Sequence, residues 1–280
     1  MLSGRCDDVT LGVKASARVT PPFDRDTLRA IILRTVAASG LRDGQVRYYA
    51  SAGPGGFALS HDECVRSTFY CVVCRGRAPP DPNKGVKVVT SPVPIKPPEF
   101  AVTKSVNYLQ NAMVVADAHE RGADYGVWIT RDGLIGEGPS MNIGFVTRDG
   151  VFKCPPFDDI LAGCTISRVM ELVNSGAVAH LGVIRAEQGP VTPEEGKEAK
   201  EVMLVGSVIN VAPVVEWDGE PAGGDREDGG GEEAGAGTAG GHEPGTPGPV
   251  ALALHDAIVK DFAENTDELT PVPYDVFESL

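Results

Sequence analysis

Residues 92–99 read Pro92-Val93-Pro94-Ile95-Lys96-Pro97-Pro98-Glu99, four prolines in eight positions. Proline lacks the backbone N–H and holds φ near one value, so neither a helix nor a strand ladder is expected to run through such a segment. The sequence is therefore expected to fold as two bodies joined by a linker over 92–99, with the larger body after it. A chain of 280 residues has room for both.

Ahead of the prolines, residues 23–39 repeat apolar side chains at helical spacing, with Leu28, Ile31, Ile32 and Val36 on one stripe. Asp24 or Asp26 is placed to cap the N-terminus, and Gly40 to end the helix. The segment 45–52 follows, then Gly53-Pro54-Gly55-Gly56. Next comes the β-branched and aromatic run Ser67-Thr68-Phe69-Tyr70-Cys71-Val72-Val73-Cys74, which predicts a strand. Residues 85–90 predict another, so 1–91 is expected to be a small α/β domain. Cys71 and Cys74 have the spacing of a zinc or redox pair, but residues three apart on a strand face opposite sides of a sheet. Without a second such pair or neighbouring histidines, they are expected to be buried structural thiols.

After the prolines, 107–121 places Leu109, Met113 and Ala116 at helical spacing, closed by Gly122. Residues 125–130 and 142–147 predict strands, each followed by an Arg-Asp-Gly turn. A helix over 165–173, strands over 202–206 and 211–217, and a last helix over 250–262 complete the second domain, 100–280. Residues 219–249 are of a different kind: twelve of the thirty-one are glycine, and most of the rest are acidic, Ala or Pro. So little apolar surface does not offset chain entropy, and a disordered insertion is expected there.

The formal net charge of −14 opposes binding to nucleic acid or to anionic membranes. No apolar run approaches the roughly 18 residues of a membrane-spanning helix. The first residues carry neither the apolar core of a secretory signal nor the pattern of a transit peptide, so the chain as written is expected to be cytoplasmic. His61, His119, His180, His242 and His255 are scattered, and no metal site is expected.

Four places carry chemistry. Lys104 lies in the largely apolar stretch Phe100-Ala101-Val102-Thr103-Lys104-Ser105-Val106. Desolvation by such neighbours favours a neutral amine, the form that attacks a carbonyl carbon. Glu137 sits in the tight turn Gly136-Glu137-Gly138-Pro139-Ser140-Met141-Asn142, where a carboxylate is placed to pair with a protonated ring nitrogen. Ile160-Leu161-Ala162-Gly163-Cys164-Thr165 leads into a helix and offers N–H groups and a hydroxyl at its N-terminus, a seat for phosphate. Gly206-Ser207 adds a second hydroxyl after an apolar strand. One amine, one carboxylate and a phosphate cradle make up the parts list of pyridoxal 5'-phosphate. On their own, Asn107 and Asn142 read as turn and strand-cap formers, Tyr108 as a core residue, and Arg47 equally well as an edge-strand arginine.

Lys104-Ser105-Val106-Asn107-Tyr108-Leu109, Glu137 to Asn142, Leu161 to Thr165 and Gly206-Ser207 resemble, in order and spacing, the signature of class IV (fold type IV) aminotransferases. That family includes branched-chain aminotransferases, D-amino acid transaminases and aminodeoxychorismate lyases. Arg47 to Gly55, Val86 to Thr90 and Pro94 to Pro98 look most like its plant D-amino acid transaminase-like members. The resemblance implies an α/β (α+β) fold of type IV, with a small N-terminal domain and a larger C-terminal one built on a pseudo-barrel sheet. It implies pyridoxal 5'-phosphate attached to Lys104, with Glu137 on the ring nitrogen and Asn142, Gly163, Cys164, Thr165 and Ser207 completing the cofactor site. Arg47, Tyr48 and Gly53 are the candidates for the substrate carboxylate. The implied reaction moves an amino group between a D-amino acid such as D-alanine and a 2-oxo acid. Aminodeoxychorismate lyase and branched-chain transamination are the alternatives. A homodimer and a plastid location are implied as well.

Family members ordinarily carry, before the helix at 23–39, a strand rich in Gly, Phe and Asp and a helix whose arginine grips the phosphate. Neither pattern is found in this sequence. The first domain is thus expected to be incomplete, its sheet edges unpaired, and the phosphate to lack a contact worth about 1.5–3 kcal/mol. On that expectation, a low-activity member serving as a fold or dimer partner is the rival reading. Ile166, where many members have arginine, and Phe57, where bacterial D-amino acid enzymes place one, are further departures.

Overall fold

A computed structural model of the chain describes residues 2–3, 19–57, 59–224, 242–265 and 269–276. The chain divides into two units, Met1–Ala78 with Phe262–Leu280, and Pro79–Asp261.

In the smaller unit, Asp24 starts helix α1 (Arg25–Ser39) by accepting the Thr27 N–H at 2.8 Å, and Gly40, at φ 67°, ends it. Leu28, Ile32, Val36 and Ala37 are its buried stripe, and Ile31 is half-buried. The helix packs on the antiparallel hairpin of β2 (Gln45–Ser51) and β3 (Thr68–Cys74), registered from Gln45 against Cys74 to Ser51 against Thr68. A short β1 (Leu2–Ser3) pairs with β12 (Leu269–Thr270). Cys71 and Cys74 lie on β3, as expected, and diverge: Cys71 Sγ donates to Thr35 Oγ1 at 3.1 Å and Cys74 Sγ to the Gln45 carbonyl at 3.8 Å. They are half-buried rather than buried, because a hairpin covered by one helix leaves its other face, with Tyr70 and Val72, exposed. Among the described residues, no cluster of His, Cys, Asp and Glu is arranged to hold a metal.

The larger unit begins earlier than the prolines suggest. Strand β4 (Val86–Thr90), expected to close the first domain, pairs in parallel with β5 (Tyr125–Val127) on one side and β10 (Asn210–Trp217) on the other. Val86, Val88 and Val89 leave both faces of this strand apolar, and such a strand is stable only inside a sheet covered on both sides. The boundary therefore falls between 78 and 79 instead of at 92–99, and residues 262–280 belong with the smaller unit.

The sheet is mixed, in the order β5-β4-β10-β9-β6-β7-β8, with β6 (Asn142–Val146), β7 (Val151–Cys154), β8 (Arg185–Gln188) and β9 (Glu201–Gly206). Val88, Val127, Ile143, Phe145, Leu204 and Trp217 fill the core beside it.

The prolines do more than connect. Pro97 and Pro98 open a one-turn helix, α2 (Pro98–Ala101), where a missing N–H costs nothing. Helix α3 (Leu109–Glu120) forms as expected but is rotated from the predicted stripe. Asn111, Val114 and Ala118 face inward, whereas Leu109 and Met113 are 70% and 48% exposed. Val114 packs with Ile95, Trp128 and Ile160, and the Asn111 amide donates to the Pro139 carbonyl; these contacts fix the rotation. Helix α4 (Cys164–Asn174) buries Thr165, Ile166, Val169 and Val173. A capping box on Thr192 and Glu195 opens α5 (Pro193–Glu198).

The Gly-rich insertion is narrower than 219–249. Strand β11 (Glu220–Pro221) folds back on β10, the Gly224 N–H donates to the Lys200 carbonyl at 2.8 Å, and the Gly245 N–H to that of Ala222 at 3.0 Å. These backbone bonds hold both ends of the segment to the sheet; its middle, 225–241, lies outside the described residues. Helix α6 (Pro249–Glu264) starts on a distant carboxylate: Glu201 accepts the N–H groups of Val250 and Ala251 at 2.9 and 2.8 Å.

Candidate active site

The register of β6 against β9, with Asn142 opposite Val205, places the start of one strand beside the end of the other. The turn at 136–141 and Gly206-Ser207 therefore share one end of the sheet. Gly206 lies so close to that turn that a side-chain carbon there would be 3.1 Å from Met141 Cβ. Asn142 then ties in the approach to α4, its Nδ2 donating to the Leu161 carbonyl at 2.8 Å. Residue 163 has to be glycine, since a Cβ there would fall 2.0 Å from Asn142 Oδ1.

Glu137 points into this corner with 7% of its surface exposed. Its Oε2 accepts the Leu161 N–H at 3.3 Å and the Asn142 amide at 3.4 Å. Burial pushes the carboxyl up to about 7, with the Leu161 N–H and the ammonium groups of Lys96 and Lys104 pulling the other way. The backbone around it is anchored on both sides: Trp128 donates to the Glu137 carbonyl and Gly136 to that of Trp128, at 2.9 and 2.8 Å. Asn142 is thus both a strand-opening residue and the side chain that holds the carboxylate.

Lys104 stands in the turn between α2 and α3, within electrostatic reach of Glu137. It is exposed, as are Phe100, Val102 and Val106 around it, so this fold alone does not provide the desolvation expected from its apolar neighbours. Tyr108, expected in the core, is 43% exposed for the same reason. The Asn107 N–H donates to Ser105 Oγ at 3.3 Å, so it is the Ser105 side chain that closes this turn.

At α4 the N-cap is Gly163, which has no side chain to occupy the first-turn N–H groups. Thr165, in that turn, is 7% exposed and its hydroxyl makes no hydrogen bond among the described residues. A hydroxyl without a partner among the described residues, at an uncapped helix N-terminus, fits an anion such as phosphate. Cys164 and Ser207 are exposed, the first at the helix start and the second in the β9–β10 turn. Arg47, Tyr48 and Gly53 belong to the smaller unit. The first two lie on β2, and Gly53, at φ 96°, is pressed so closely on the Arg66 carbonyl that no Cβ fits.

Two contributors were not foreseen from sequence, Lys96 in the proline run and Asn111 on α3. Lys96 was legible only as linker, and Asn111 lay off the predicted apolar stripe.

The family model described as amino-transferase class IV matches residues 13–217. The chain belongs to the class IV aminotransferase family. Among its family relatives, the chloroplastic D-amino-acid transaminase of Arabidopsis thaliana is 40% identical over 95% of this chain, which spans 66% of that relative's length. The D-alanine aminotransferase of Bacillus licheniformis is 28% identical over 78% of this chain and 82% of its own. The fold is also that of the T.th. branched-chain amino acid aminotransferase solved with N-(5'-phosphopyridoxyl)-L-glutamate, at a TM-score of 0.75 and 24% identity over 94% of this chain and 80% of that one. Among the described residues, no helix of this family member is long and apolar enough to cross a membrane.

Proposed function

We propose that the chain is a pyridoxal 5'-phosphate-dependent transaminase that moves an amino group between a D-amino acid of the alanine type and a 2-oxo acid. The observation that carries this is the convergence, at one end of the sheet, of the buried Glu137 carboxylate and the uncapped start of α4 with its unpartnered Thr165 hydroxyl, within reach of the Lys104 amine. The D-amino acid class follows the likeness to the Arabidopsis and Bacillus enzymes.

When bound, the cofactor supplies an electron-withdrawing ring that stabilises negative charge on the substrate α-carbon. Lys104 Nζ would be its point of attachment and, when free, the amine that would take the substrate α-proton as a base and give it back as an acid. The Glu137 carboxylate, its oxygens oriented by Asn142 and the Leu161 N–H, would accept the ring N–H and hold that proton in place. The backbone of Gly163, Cys164 and Thr165, with the hydroxyls of Thr165 and Ser207, would hold the phosphate. Arg47, Tyr48 and Gly53 are the groups to test for the substrate carboxylate.

The same reading includes a homodimer. Phe100, Val102, Val106, Leu109 and Met113 surround Lys104 as exposed apolar side chains, and a second copy over them would supply the desolvation the amine lacks in one chain. A plastid location follows the likeness to the chloroplastic relative.

The test is to load the purified protein with the cofactor, reduce it with borohydride and map the modified residue by mass spectrometry. The adduct is expected on Lys104, and an adduct on another lysine at saturating cofactor overturns the assignment. D-alanine with 2-oxoglutarate is expected to turn over; turnover of aminodeoxychorismate or of L-leucine in its place assigns the chain to the lyase or the branched-chain class. Light scattering reads the oligomer.

A further inference from the structure

The Lys96 side chain is largely covered, and its ammonium has no anion in contact with it among the described residues. Only 8% of its surface is exposed, and no hydrogen bond or ion pair joins its ammonium to a described residue. Its Nζ lies 5.8 Å from the centroid of the Tyr108 ring, a cation over an aromatic face. A buried ammonium is costly unless an opposite charge lies nearby. Glu137 lies within electrostatic reach of it. Ile95 packs its Cδ1 so close to Gly136 that a Cβ on residue 136 would stand 2.9 Å away, which sets Lys96 next to the turn carrying Glu137. Pro97 and Pro98 follow it and restrict the backbone there as they open α2.

We propose that Lys96 is a positioning residue: its ammonium is the fixed counter-charge that draws the buried Glu137 carboxyl toward its ionised form, the form able to accept a ring N–H. The groups facing Glu137 support this. They are Lys96 from the proline segment, Lys104 from the α2–α3 turn, the Cys154 thiol from β7, the Asn142 amide from β6 and the Leu161 N–H before α4. Lys104 is the amine committed to the cofactor, and Cys154, pushed up to about 12 by burial and by Glu137, stays neutral. Lys96 is the remaining cation. Burial lowers its own proton affinity, with Glu137 opposing and Lys104 assisting.

This role presupposes the cofactor site proposed above, but its test does not need the cofactor. In the apo-chain, carbon-13 NMR of the glutamate carboxyls follows Glu137, assigned by the signal lost in Glu137→Gln. Lys96→Met is expected to raise the Glu137 titration midpoint by about one pH unit or more, and Lys96→Arg, which keeps the charge, to restore it. In the wild-type chain the Lys96 ammonium signal is expected to move as Glu137 titrates, a measurement that requires no variant to fold. An unchanged midpoint in Lys96→Met, or a Lys96 signal indifferent to the Glu137 titration, overturns the role. Failure of borohydride to mark Lys104 in the wild-type protein overturns the cofactor reading and leaves this result standing.

Discussion

Asn142 Oδ1 occupies the space beside the Gly163 α-carbon that any side chain would need: a Cβ there would lie 2.0 Å from it. The same amide bridges the Leu161 carbonyl and Glu137, so the glycine before α4 and the orientation of the carboxylate are one structural requirement.

Gly163→Ala is therefore expected to push Asn142 aside and cost about 1–3 kcal/mol through the lost buried hydrogen bonds, with cofactor affinity falling as well. Urea unfolding and cofactor titration read the two effects. In an Asn142→Ala background the alanine has nothing to displace, and its further cost is expected to be much smaller than in the wild type. Additive costs in the double variant would mean that the two residues act independently.

Glu137 makes stability depend on pH. Its carboxyl titrates near pH 7 in the folded chain, against 4.5 in the unfolded one. A raised carboxyl leaves the folded state holding more protons than the unfolded state between these values, so stability is full below about pH 4.5 and falls as pH rises through about 7. The loss is about 3 kcal/mol. Glu201 contributes a second loss in the same window, because burial raises its carboxyl from 4.5 to about 7 as well. Glu137→Gln is expected to remove roughly half of the decline, measured as unfolding free energy of the apo-protein at pH 5 and pH 8. It is also expected to abolish the pairing with the cofactor ring.

Glu201→Ala is expected to destabilise the larger unit by about 1–3 kcal/mol, because the first N–H groups of α6 lose both acceptors in a buried place. Glu201→Gln retains one acceptor oxygen and is expected to cost less. Thermal unfolding followed by circular dichroism ranks the two. An alanine variant as stable as the wild type would show that the helix start finds another acceptor.

Arg168 joins α4 to α6 by two parallel bonds to Asp261, at 2.9 and 2.6 Å, and has a third partner in Glu171. Arg168→Met is expected to cost about 1–2 kcal/mol, a modest value because the arginine is partly exposed. Arg168→Lys is expected to recover little of it, since a single ammonium does not reproduce the forked geometry. Urea midpoints at low and moderate salt measure both.

What was legible in the residue order is what local chemistry controls. Asp24 and Gly40 bracket α1 because a cap acceptor and a left-handed glycine act within one turn of the backbone. The Glu137 turn and the glycine start of α4 carry similar local signals, and the structure brings these two to one end of the sheet. The placement of β4 was not legible. Its valines demand burial, but a pattern of alternation does not say which sheet provides it.

By itself, the sequence determined the four longer helices, most of the strands and the types of group available to the site, since each depends on neighbours within a few residues. Tertiary structure alone decided which face of α3 turns inward, that Asn142 holds Glu137, and that a lysine in a proline run comes within electrostatic reach of a carboxylate forty-one positions later. Those outcomes depend on contacts between distant segments, and the strength of a charge depends on how much water those segments exclude.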